Sequence, residues 1–113
     1  MIKIYHNNRC SKSRCAIALL EEQGKDFEVI KYLEDVPSEE DLKNIIKLLG
    51  IYPIELVRKN EAIWKDNYKG KELTDAQIIQ AMLTNPKLIE RPIVINNGKA
   101  VIGRPTDAIL DII

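Results

Sequence analysis

The chain has 113 residues, 45% of them hydrophobic and 30% charged, with a formal net charge of zero. That length fits one domain with one core, and the charge balance gives no overall bias toward nucleic acid or anionic membrane. No apolar run approaches the roughly 20 residues of a membrane-spanning helix. The N-terminus carries a strand-like pattern in place of a signal peptide, so a cytoplasmic protein is expected.

In chain order, Met1 to Tyr5 reads as a strand and Cys15 to Gln23 as a helix-forming run. Gly24 follows as a stop signal, and Ala16, Leu19 and Leu20 share one helix face. Phe27, Val29, Ile30 and Tyr32 form a second strand. Strand, helix, strand in about 30 residues is a βαβ unit, so these two strands should be parallel. Ser38-Glu39-Glu40-Asp41 and Thr74-Asp75-Ala76-Gln77 look like capping boxes opening helices that end near Gly50 and Pro86. Between them, Pro53 to Val57 and Glu61 to Tyr68 read as short helices, so about 38–84 is a helical block without a strand. Pro92-Ile93-Val94-Ile95, Asn97-Gly98 and Ala100-Val101-Ile102 spell a β-hairpin. Pro105 then starts a last helix with Ile109, Leu110 and Ile113 on its apolar face.

That order is the thioredoxin-like plan. It predicts an α/β fold with a four-stranded mixed sheet, one domain over 1–113, and a helical insertion at about 38–84. In this plan the active cysteine begins the first helix. The third strand commonly opens with a cis-proline facing it, and Pro92 in Arg91-Pro92 is the candidate.

The chemistry concentrates in His6-Asn7-Asn8-Arg9-Cys10-Ser11-Lys12-Ser13-Arg14. Cys10 lies between a strand end and a helix start, where unpaired N–H groups and the helix dipole favour an anion. The thiolate is the reactive form of a cysteine, and cationic neighbours favour it. Arg9, Lys12, Arg14 or a protonated His6 are candidates to supply that charge. Cys15 reads as a small buried hydrophobe and Cys10 does not, because its neighbours are polar.

Two cysteines and one histidine are too few for a disulfide scaffold or a zinc site, so no metal is expected. A tyrosine-phosphatase loop needs Arg six positions after the cysteine, and that position holds Ala16. A dithiol C-x-x-C motif is also absent, because the second sulfur is replaced by Ser13. The site therefore reads as a monothiol that an outside thiol must regenerate. Arg91 and Arg104 lie at the two open ends of the predicted hairpin, and Arg58 follows an apolar helix. Arginine is preferred where a tetrahedral oxyanion is gripped, so the set suggests an oxyanion substrate.

On these residues the chain resembles the glutaredoxin-dependent arsenate reductase family, ArsC. The likeness runs over essentially the whole length. It rests on Ile4-Tyr5-His6-Asn7 before Cys10, Ser13-Arg14 after it, and Tyr32-Leu33-Glu34 with Pro37-Ser38. It continues through Leu56-Val57-Arg58-Lys59-Asn60, Asn85-Pro86, Arg91-Pro92-Ile93-Val94 and Arg104-Pro105. The resemblance implies that Cys10 attacks arsenate, that Arg58, Arg91 and Arg104 bind the oxyanion, and that His6 helps tune the cysteine. It also implies glutathione as cosubstrate, glutaredoxin as partner, no bound cofactor, and a monomer. Where the family often has proline, this chain has Asn8. Two alternatives share the plan: a monothiol oxidoreductase acting on glutathione mixed disulfides, and an Spx-type regulator binding RNA polymerase. Ser13 argues against the second, whose members use a C-x-x-C switch.

Overall fold

A computed structural model describes residues 1–113. The chain divides into two compact units, one made of Met1–Asp35 with Arg91–Ile113, the other of Val36–Glu90. The second brackets the expected helical block with slightly wider bounds.

The first unit holds the sheet. Its strands are β1 (Ile2–His6), β2 (Phe27–Lys31), β3 (Ile93–Asn96) and β4 (Lys99–Ile102), in the order β2-β1-β3-β4. β1 runs parallel to β2 and antiparallel to β3, and β3 pairs antiparallel with β4. The α/β, thioredoxin-like plan with a mixed four-stranded sheet is therefore the observed one. The hairpin turns at Asn97 and Gly98, both at positive φ (50° and 73°), as a two-residue turn between right-twisted strands requires.

Helix α1 (Ser11–Glu22) buries Ser13, Ala16 and Leu20, a stripe at helical spacing. It packs with Ile2, Ile4, Val94 and Ile109 into the core of this unit. The helix begins at Ser11, four residues before the run that apolar periodicity picks out, because the residue its first turn buries is the polar Ser13. The expected C-terminal helix is a 3-10 segment, Thr106–Asp111. Ile109, Ile112 and Ile113 lie on the packed side, and Leu110 turns out, 44% exposed. Leu110 is thus not part of the apolar face that an α-helix would have made.

Gly103 sits at the end of β4 under tight packing. A methyl group there would stand 2.9 Å from Pro92 Cγ and 3.1 Å from Ile109 Cδ1. Both neighbours are held, Pro92 by its ring and Ile109 by full burial. We expect Gly103→Ala to cost about 1–3 kcal/mol of stability, as overpacking does, read as a lower urea midpoint with unchanged slope.

The Val36–Glu90 unit carries α2 (Glu39–Leu49), α3 (Ala62–Asn67), α4 (Asp75–Thr84) and 3-10 turns at Pro53–Leu56 and Pro86–Leu88. Thr74 forms a complete capping box: its Oγ1 accepts from the Gln77 N–H, and Gln77 Oε1 accepts from the Thr74 N–H. Ser38 makes only half of one, accepting from the Asp41 N–H at 3.1 Å. Asp41 is one methylene shorter than the Glu or Gln that completes the motif. The block holds a single antiparallel bridge, Val57 to Ile89, flanked by the bonds Arg58 N–H to Leu88 O and Glu90 N–H to Leu56 O. No helix is long and apolar enough to cross a membrane.

Candidate active site

The site is assembled at one end of the sheet. β1 ends at His6, and its register pairs Tyr5 with Ile93, so the start of β3 lies beside the β1–α1 loop. β3 and β4 are paired from Ile93–Ile102 to Asn96–Lys99, so Arg91 and Arg104 flank the hairpin's open end. The sheet topology thus brings the Cys10 loop and these two arginines to one edge.

Cys10 is the N-cap of α1, in extended conformation, with no side-chain capping bond. That position directly precedes the helix's unpaired first-turn N–H groups. No acidic residue lies in the first turn to compete with an anion. Both cysteines are free. Cys10 is buried, 8% exposed, and Cys15 is exposed. This reverses the expectation drawn from their neighbours. Five residues along a helix turn the side chain by about 140°, which carries Cys15 off the stripe that packs on the sheet.

Arg104 points at the sulfur. Its Nη2 donates to Cys10 Sγ at 3.5 Å, and its Nε donates to the Arg91 carbonyl at 2.8 Å. The guanidinium is anchored through Nε to the Arg91 carbonyl while Nη2 faces the thiol. Arg91 is buried, and both Arg91–Pro92 and Arg104–Pro105 are cis peptide bonds.

The loop is pinned from inside. Asn7 N–H donates to Ser13 Oγ at 3.1 Å, Arg9 N–H to Asn7 Oδ1 at 3.0 Å, and Cys10 N–H to Asn7 O at 3.0 Å. Arg14 Nη1 donates to the Asn8 carbonyl at 3.1 Å. These bonds hold the loop that carries Asn8 in place of a proline. Ser13 is fully buried, so it does more than stand where a second sulfur is missing: it latches the loop. Asn7 completes that turn, a role that motif reading did not assign. The signal for it is a short polar side chain bonding its own backbone two residues on.

His6 is 5% exposed. Burial, and then the charges of Lys31 and Arg14, hold its imidazole below the ordinary pKa of 6.5. A protonated His6 as a cation for Cys10 is therefore disfavoured by its surroundings. The sign follows: below about pH 6.5 the unfolded chain takes up a proton at this residue before the folded one does. Stability is fully present above pH 6.5 and falls as pH drops through the window below it. We expect the urea midpoint to fall more between pH 7.5 and 5.5 in the parent than in His6→Gln.

Arg58 belongs to the Val36–Glu90 unit, where it ion-pairs with Glu61 and stands 3.8 Å from Glu90. No group of three or more His, Cys, Asp or Glu side chains is arranged to hold a metal.

Comparison with known proteins identifies the family of the chain. The model of the ArsC family matches residues 5–112. An arsenate reductase of Neisseria meningitidis serogroup A is 43% identical over 110 residues, covering 96% of this chain and 94% of the relative. The uncharacterized protein YfgD of Escherichia coli K12 is 47% identical over 114 residues, covering 99% and 96%. A solved arsenate reductase from Vibrio cholerae superposes with a TM-score of 0.94 at 46% identity, covering 99% of this chain and 97% of the other. With a thioredoxin-like sheet, a cysteine capping its first helix and a family match over nearly its whole length, this chain belongs to the ArsC family.

Proposed function

We propose that this chain reduces arsenate to arsenite through a Cys10 nucleophile, with glutathione and glutaredoxin as the external reducing system. The observation that carries the reading is the Arg104 guanidinium 3.5 Å from Cys10 Sγ. A fixed cation beside a nucleophilic sulfur suits an anionic tetrahedral substrate better than a neutral disulfide.

The thiolate attacks arsenic, a sulfur–arsenic bond forms, and one oxygen leaves as water after protonation. Arg104 and Arg91 neutralise charge on the remaining oxygens, while the N–H groups at the start of α1 add oriented donors. Two electrons then pass to arsenic from two external thiols, which leave as one disulfide. Hydrolysis of the remaining bond to Cys10 releases arsenite. Ser13 offers no second sulfur, so the electrons come from outside the chain. The family resemblance gives Arg58 a share in holding the oxyanion. Its existing pairing with Glu61 and Glu90 makes that share the smaller one in this reading.

The test is arsenate-dependent NADPH consumption with glutathione, glutathione reductase and glutaredoxin. Turnover that rises with arsenate and yields one arsenite per NADPH supports the reading. Folded protein with no arsenate dependence defeats it, and faster turnover of a glutathione mixed disulfide than of arsenate makes it a monothiol oxidoreductase instead.

A further inference from the structure

A recess lies on the far side of the Cys10 loop from the hairpin arginines. Its volume is about 250 Å³. At ~30 Å³ per water it holds about eight waters, which suits an amino-acid-sized group. One wall is the loop from His6 to Arg9, and the other is the end of β2 with its following turn, Lys31, Leu33 and Glu34. The β1–β2 register sets Lys31 beside His6.

Both walls are fixed by hydrogen bonds from backbone N–H groups. On the loop side these are the Asn7–Ser13 and Arg9–Asn7 bonds. On the other side, Glu34 N–H and Asp35 N–H both donate to the Lys31 carbonyl, at 3.0 and 2.8 Å. The side chains at the rim are differently placed. Arg9, Lys31 and Glu34 are exposed and form no ion pair or side-chain hydrogen bond within the chain. Charges of both signs thus face one small recess without neutralising each other. Leu33, 36% exposed, adds an apolar patch between them. Behind them the buried His6 Nδ1 has no hydrogen-bond partner.

A simple anion is opposed here by Glu34, and a simple cation by Arg9 and Lys31. A zwitterion satisfies both, its carboxylate on Arg9 and Lys31 and its ammonium on Glu34, with a short methylene chain over Leu33. The recess ends one residue before Cys10 along the loop. We propose that it docks the zwitterionic amino-acid end of the small thiol peptide that reduces the Cys10 adduct. The assignment rests on the reading that an outside thiol finishes the reaction, and it adds where that thiol is held.

S-methylglutathione keeps the zwitterion and cannot exchange disulfides, so it tests docking without arsenate. Titrated into isotope-labelled protein, it should shift the backbone amides of residues 6–9 and 31–34. In the coupled assay, Glu34→Gln and Lys31→Met should each raise KM for glutathione about tenfold, the size of one lost charged contact. They should leave kcat, the KM for arsenate, and the rate with 2-mercaptoethanol as reductant unchanged. Amide shifts confined to other residues, or absent at saturating probe, overturn the assignment. So does a KM for glutathione that neither substitution changes. If the chain does not reduce arsenate at all, the titration still reads the recess, so the two failures are separable.

Discussion

Cys10→Ser is expected to bring arsenate-dependent NADPH consumption down to the rate without enzyme, while Cys15→Ser keeps most of it. The substitution exchanges one atom and leaves the N-cap position filled by a residue type that caps helices well. Folding should therefore survive. What is lost is the nucleophile, because a hydroxyl at this position is not ionised near neutrality as a thiol can be. Cys15 is exposed on the other side of α1 and takes no part in the hydrogen bonds of the loop. Equal loss in both variants would point to a paired-cysteine mechanism and contradict the monothiol reading. Circular dichroism of the Cys10→Ser protein separates loss of chemistry from loss of fold.

Arg104→Ala should give the next largest effect, a fall of about 10²–10³-fold in kcat/KM for arsenate, the usual consequence of removing one fixed donor from a charged transition state. Arg104→Lys should recover only part of it. A lysine carries all its donors on one nitrogen and lacks the guanidinium's fork, whose Nε keeps the 2.8 Å bond to the Arg91 carbonyl while Nη2 faces the sulfur. Arg58→Ala should cost less, since its guanidinium is engaged by Glu61 and Glu90. A larger loss at Arg58 than at Arg104 would reverse the ranking and shift the weight of oxyanion binding away from the hairpin. Each variant is compared at saturating glutathione, so that the ratio reports arsenate alone.

Much of this arrangement is legible in the chain before any coordinates, and the reasons are physical. Alternating and helical apolar spacing fixes the element order, and Asn97-Gly98 fixes the hairpin, because only residues tolerant of positive φ make so short a turn. Once the hairpin is placed, Arg91 and Arg104 must lie at its open end. The misses have causes as specific. The latch made by Ser13 is hidden from an apolar pattern because the residue is buried for its hydroxyl and not for its hydrophobicity. Cys10 and Cys15 exchange their expected burial because sequence neighbours on a helix point to different sides, so polar neighbours say little about a residue's own environment. Leu110 faces out, next to the fully buried Ile109, in a segment that winds as a 3-10 helix in place of the expected α-helix. What the chain does not show for His6 is that burial and the charges of Lys31 and Arg14, met only in the fold, all disfavour the imidazolium.

In the proposed mechanism an arsenate-sized oxyanion occupies the space in front of Cys10, held there by Arg104. Alkylation by iodoacetamide, followed peptide by peptide by mass spectrometry, measures this without any reductant. Arsenate should slow labelling of Cys10 in a concentration-dependent way, leave Cys15 labelling unchanged, and lose its protective effect in Arg104→Ala. Labelling of Cys10 at the same rate with and without saturating arsenate, or equal slowing at both cysteines, would contradict the account.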